Sequence, residues 1–105
     1  MIVEIRTYEI KPGLRDRFVD FLRCKSGPVQ KAKGIQLLGP FIDLENQNIV
    51  ICLRGFPSRE ERDRMRAAFY CGPEWKTQLK AEAMTLVERH EVVVAETREH
   101  LFTFD

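Results

Sequence analysis

The chain has 105 residues, 44% of them hydrophobic and 31% charged, with a formal net charge of +1. This is one domain, residues 1–105, able to bury roughly 65% of its unfolded surface, and its balanced charge leaves no electrostatic footprint for nucleic acid or an anionic membrane. No stretch approaches the ~20 apolar residues that insertion across a bilayer needs.

Met1-Ile2-Val3-Glu4 enters a strand pattern at once, which leaves no room for a leader peptide. Ile2 to Ile10 forms the first strand, with Val3, Ile5 and Thr7 on one face and Glu4, Arg6, Tyr8 and Ile10 on the other. Lys11-Pro12-Gly13 turns the chain. Leu14 to about Lys33 is helical, with Leu14, Phe18, Phe21, Leu22, Val29 and Ala32 on its apolar side. Ser26-Gly27-Pro28 kinks or splits it, because proline lacks a donor and crowds the residue before it. Gly34 caps its end, and Ile35 to Ile42 is the second strand.

Ile49 to Phe56 is the third strand. Its run Ile49-Val50-Ile51-Cys52-Leu53 is apolar at odd and even positions alike, so both faces should be covered. Ser58-Arg59-Glu60-Glu61 is a capping box for a helix that ends near Tyr70, with Met65, Ala68 and Phe69 inward. Arg59 and Asp63, and Glu60 and Arg64, stand at i,i+4 spacing. Arg59, Arg62 and Arg66, interleaved with acids, read as a solvated ion-pair face. Gly72-Pro73 breaks the helix; Glu74 to about Ala83 is a third helical piece, with Trp75 as a core or subunit-interface anchor. Thr85 to Ala95 is the fourth strand, and a tail carrying Leu101, Phe102 and Phe104 docks rather than dangles.

The order β-α-β-β-α-β predicts an α+β, ferredoxin-like fold. In this reading the first and third strands are parallel neighbours at the sheet centre, and helices cover one face. Tyr8, Ile10, Val50, Cys52 and Phe56 then make an open apolar face, large for a monomer, which a second copy covers. The expected assembly is a homodimer, a dimeric α/β barrel.

Three features carry a family resemblance. Strand one and its turn read Arg6-Thr7-Tyr8-Glu9-Ile10-Lys11-Pro12-Gly13; strand three exits through Phe56-Pro57-Ser58; the second long helix ends in Gly72-Pro73-Glu74-Trp75. This resembles the NIPSNAP family, with its R-T-Y-x-(L/I)-K-P-G opening and (D/G)-P-E-W turn, over about residues 1 to 95. The resemblance implies a dimeric α/β barrel and, because the family's biochemical activity is largely unsettled, little chemistry. Animal members are mitochondrial and linked to vesicle transport and mitophagy signalling. This chain lacks their N-terminal extension and looks like a stand-alone bacterial-type member. Where members carry His, Trp and Tyr along strand three, the matching positions here are Cys52, Arg54 and Phe56.

The candidate site follows from strand parity. Arg6 and Tyr8 share one face of strand one; Cys52, Arg54 and Phe56 share one face of strand three. As neighbours inside the barrel they would bind a small organic acid or carbonyl compound, with guanidinium forks for oxygens and an aromatic wall. Tyr8 packed under the helices would remove that site. The competing reading makes Tyr8 and Phe56 packing residues and pairs the arginines with Glu4, Glu88 or Glu91. Tyr8 and His90 are the candidates for acid–base catalysis; His100 lies in the solvated tail. By fold analogy the barrel could host a cofactor-free monooxygenase or isomerase, and the alternative is a non-enzymatic interaction module. No metal or cofactor is implied: the histidines stand alone, and no phosphate loop or Ser-His-Asp order is present. Cys24, Cys52 and Cys71 are odd in number and widely spaced, which argues for free thiols and a cytoplasmic location.

Overall fold

A computed structural model describes residues 1–104. In chain order it contains β1 (Ile2–Ile10), α1 (Arg15–Phe21), a π-helical turn (Leu22–Ser26), α2 (Gly27–Ala32), β2 (Gln36–Ile42), β3 (Ile49–Phe56), α3 (Arg59–Tyr70), a second π-helical turn (Trp75–Leu79), α4 (Lys80–Leu86) and β4 (Val87–Glu96). The strands form one sheet in the order β2-β3-β1-β4, and the fold is α+β and ferredoxin-like, as the element order predicts. The β1–β3 pairing is antiparallel, not parallel. The crossover through α1 and α2 brings β2 back in the direction of β1, one strand apart, and the β2–β3 hairpin inserts β3 between them against both.

The first helix is widened rather than kinked. Pro28 cannot donate to the carbonyl four residues back, and the backbone just before it opens so that the Gly27 N–H reaches Leu22 O, five residues back. A Cβ at Gly27 would come within 2.5 Å of that same oxygen. The second π-helical turn has the equivalent bond from Lys80 N–H to Trp75 O. The last helix continues to Leu86, so β4 begins at Val87, two residues later than its apolar pattern suggests.

Ser58 Oγ accepts from the Glu61 N–H at 3.2 Å. The Glu61 carboxylate does not complete the box; it turns to Arg64, which therefore pairs one residue away from the expected Glu60. Met65 and Phe69 are buried, whereas Ala68 and Ala32 are exposed.

The register defines both faces of the sheet. Leu38, Leu53, Ile5 and Val93 stand opposite one another across all four strands, and Phe41, Ile51 and Thr7 form the neighbouring row. This face carries no helix. Ile5, Leu38, Phe41 and Val93 are exposed on it, and Ile51 and Leu53 are half-buried. The other face packs against Phe18, Phe21, Met65, Phe69, Leu79 and Leu86 from the helices. Tyr8, Ile10, Val50, Cys52 and Phe56, expected on the open face, all lie here in the core. The assignment reverses because the Glu4 carboxylate is paired by the arginines around it, so the charged side of β1 can be buried while apolar Ile5 is left outside.

The tail docks. Met1 and Thr97 exchange backbone hydrogen bonds at 3.0 and 3.1 Å. Phe102 is buried on Gly55, where a Cβ would meet the ring at 2.3 Å. Gly55 thus provides the space in which the tail covers one end of the open face.

Candidate functional site

Glu4 is fully buried, and four guanidinium groups surround it. Arg6 Nη1 donates to Oε1 at 2.9 Å and Arg62 Nε to Oε2 at 2.8 Å. Arg66 Nε lies 3.4 Å from Oε2 and Arg54 Nη1 3.7 Å from Oε1. Burial alone would raise the Glu4 pKa, but the Arg54 and Arg6 charges, with hydrogen bonds from Arg6 and Arg62, outweigh it and hold the carboxyl below its ordinary range. Arg62 and Arg66, read from sequence as a solvated stripe, instead reach under α3 to this carboxylate. They are four residues apart, so they project from one side of the helix.

Arg6 Nε donates to the Tyr8 hydroxyl at 2.7 Å. Tyr8 also packs at a tilt against Phe18, 4.9 Å between centroids, and stacks with His90 at 5.9 Å. Burial pushes the Tyr8 phenol up to about 12. Burial likewise raises the Cys52 thiol. His90 is pushed below its ordinary value by partial burial and then by the Arg6 and Arg54 charges, which favours the neutral imidazole.

Arg54 is 3% exposed. Its guanidinium lies over the rings of Phe69 and Tyr70, 5.9 and 5.6 Å from their centroids. Its Nε and Nη1 are buried and have no hydrogen-bond partner among the described residues. Such a group is costly unless something completes it.

A cavity of about 410 Å³ opens beside these groups, between the sheet and the helices. Arg6, Tyr8, Arg54 and His90 line it together, with Arg66, Tyr70 and Trp75. The parity argument therefore brings the three expected polar residues together, but Tyr8 lies under the helices. The open-face version of the site does not exist; the residues converge on the opposite side of the sheet. The competing reading also holds in part, since Glu4 is the partner of both arginines. Cys52 borders a second recess of about 200 Å³, beside Leu22 and Gln30. Phe56 is fully buried in the core and lines neither space.

Sequence reasoning misses Arg66, Tyr70 and Trp75 as walls of this cavity. Trp75 is half-buried, against Phe69 and Tyr70 at 5.5 and 5.1 Å. The available signal was the i,i+4 placement of Arg62, Arg66 and Tyr70 along one side of α3. Cys24, Cys52 and Cys71 are free, and among the described residues no group of three His, Cys, Asp or Glu side chains could hold a metal ion. No described helix is long and apolar enough to cross a membrane.

The NIPSNAP family profile matches residues 3–97. The chain belongs to the NIPSNAP family. An uncharacterised NIPSNAP domain protein from Burkholderia xenovorans superposes with a TM-score of 0.83 at 21% identity, covering 100% of both chains. A NIPSNAP family protein of unknown function from Agrobacterium tumefaciens gives 0.84 at 24% identity, covering 97% of this chain and 94% of that one. A putative antibiotic biosynthesis monooxygenase from Nitrosomonas europaea gives 0.69 at 14% identity, covering 94% and 100%. At these identities the likenesses establish the fold. No curated protein matches this NIPSNAP chain in sequence.

Proposed function

We propose that this NIPSNAP protein is a cytoplasmic homodimer that binds a small organic acid or carbonyl compound in the cavity between its sheet and helices. The observation that carries the ligand reading is the convergence of Arg6, Tyr8 and Arg54 on one cavity, with the buried Arg54 Nε and Nη1 making no hydrogen bond among the described residues and only Nη1 near Glu4, at 3.7 Å. A bound oxygen acceptor completes them, and charge-assisted bonds of this kind are the strong ones. The homodimer reading rests on the apolar row Leu38, Leu53, Ile5 and Val93, which no helix covers. The cytoplasmic reading rests on three free thiols.

Tyr8 and His90 are the groups we assign to any proton transfer in the cavity. A neutral imidazole facing a phenol suits acid–base work on a bound carbonyl compound.

Trp75 is the single tryptophan and a wall of the cavity, so its emission reports occupancy. Titration with a panel of aromatic and aliphatic acids and ketones is expected to give a saturable change, with a Kd below about 1 mM for at least one member. Any conversion of that ligand should vanish in His90→Gln while binding persists. No saturable change with any member would overturn the reading.

A further inference from the structure

We infer that the head group of the ligand is a carboxylate held jointly by Arg54 and Arg66, and that its body is compact and apolar: an aryl or branched aliphatic monocarboxylic acid. This inference rests on the ligand reading above and deepens it.

The guanidinium donors around Glu4 are unequally used. Arg6 uses Nη1 on Glu4 and Nε on Tyr8. Arg62 uses Nε on Glu4 and does not line the cavity. Arg54 Nε and Nη1 and Arg66 Nε are buried and make no hydrogen bond among the described residues; of these, Arg54 Nη1 and Arg66 Nε lie 3.7 and 3.4 Å from the Glu4 carboxylate as ion pairs, and Arg54 Nε has no such contact. Both guanidinium groups lie on the ring of Tyr70, at 5.6 and 5.4 Å, which sets the β3 and α3 arginines side by side at one end of the cavity. Two neighbouring planar forks suit the two oxygens of a carboxylate better than a single carbonyl oxygen.

Charge points the same way. The buried carboxylate of Glu4 is shared by four arginines, so the cluster carries a surplus of positive charge that a bound monoanion reduces. Away from the arginines the lining is mainly apolar, with Phe18, Phe21, Leu22, Trp75, Ala83 and Val87, and its polar members include Ser26, Glu88 and His90. A body with a further negative charge would lose hydration against the apolar side chains and meet Glu88 rather than a second free cation cluster. The volume of about 410 Å³ is that of a small-molecule site and accommodates an aryl ring with a short linker.

The test is isothermal titration calorimetry of the full chain with phenylacetate, 3-methylbutanoate, phenylacetamide, acetate and inorganic phosphate. Phenylacetate or 3-methylbutanoate should bind. Phenylacetamide, acetate and phosphate should each bind at least about tenfold more weakly, the first lacking the charge and the others the apolar body. Arg54→Lys, which keeps the charge but loses the fork, should weaken the acid by about tenfold or more. Arg66→Ala, at a partly exposed side chain and so less exposed to misfolding, should also weaken it, while Arg64→Ala on the solvent side of α3 should not. Equal binding of acid and amide, or an affinity unmoved by both Arg54→Lys and Arg66→Ala, overturns the head-group assignment while leaving a ligand site in place. Failure of the whole panel, here and by Trp75 emission, overturns the underlying reading as well.

Discussion

Glu4→Gln is expected to lower the stability of the folded chain by about 3–5 kcal/mol, the usual cost of removing one partner of a buried ion pair. The amide nearly preserves shape, so the loss reports charge rather than packing. Without the carboxylate, Arg6, Arg54, Arg62 and Arg66 face one another with no counter-ion. Denaturant titration checks the value; an unchanged midpoint would show that the arginines are hydrated and that the cluster is not a buried unit. The wild-type chain should reveal the same group by pH. The folded pKa of Glu4 lies below its ordinary value of 4.5. Above about that pH the unfolded carboxyl is also ionised and the stabilisation is complete. As pH falls through 4.5 toward the folded pKa the unfolded state takes up the proton first, and stability is lost. In Glu4→Gln this part of the acid sensitivity should disappear.

The second large effect concerns assembly. Leu53→Asp is expected to convert a dimer into a folded monomer. Leu53 faces away from the helices and stands between Leu38 and Ile5 in the uncovered row. Burying a leucine there contributes roughly 1.5–3 kcal/mol per subunit, and an unpaired aspartate would have to be desolvated as well. Val50→Asp is the contrast: Val50 is 0% exposed within the chain's own core, so the same charge three residues earlier should abolish folding. Sedimentation separates these outcomes. A wild-type chain that is monomeric at low micromolar concentration would contradict the proposed dimer, and a dimeric Leu53→Asp protein would place its contact elsewhere.

These two substitutions mark where the sequence was legible and where it was not. The elements were readable because local rules govern them: Ser58 caps α3, Gly34 adopts a φ of +92° after α2, the first helix is perturbed just before Pro28, and α3 ends ahead of Pro73. Parity was also readable, and it placed Arg6 and Tyr8 beside Cys52 and Arg54. Which face the helices cover was not. Apolar alternation favours Val3 and Ile5 as the helix-covered side of β1, yet Glu4 and Arg6 are buried there, while on the other face Val3 is buried and Ile5 exposed. The Glu4 carboxylate is also paired by Arg62 and Arg66, about sixty residues away, and strand periodicity carries no record of such a partner. The capping box failed in its second half for a related reason: Arg64, one turn on, competes for the Glu61 carboxylate. Trp75 could be recognised as important from its size, but its place in a cavity wall depends on a π-helical turn that local propensities do not announce.

The most direct measurement of the ligand site is to observe the arginine side chains themselves. In a ¹⁵N-labelled chain, the Nε–H resonances of Arg54 and Arg66, assigned with Arg54→Lys and Arg66→Ala, should shift in a saturable manner as phenylacetate is added. The Arg64 resonance, whose partner is Glu61 on the solvent side of α3, should stay in place. Movement of Arg64 with Arg54 and Arg66 unmoved would mean that the acid binds only at the surface and that the cavity is not the site.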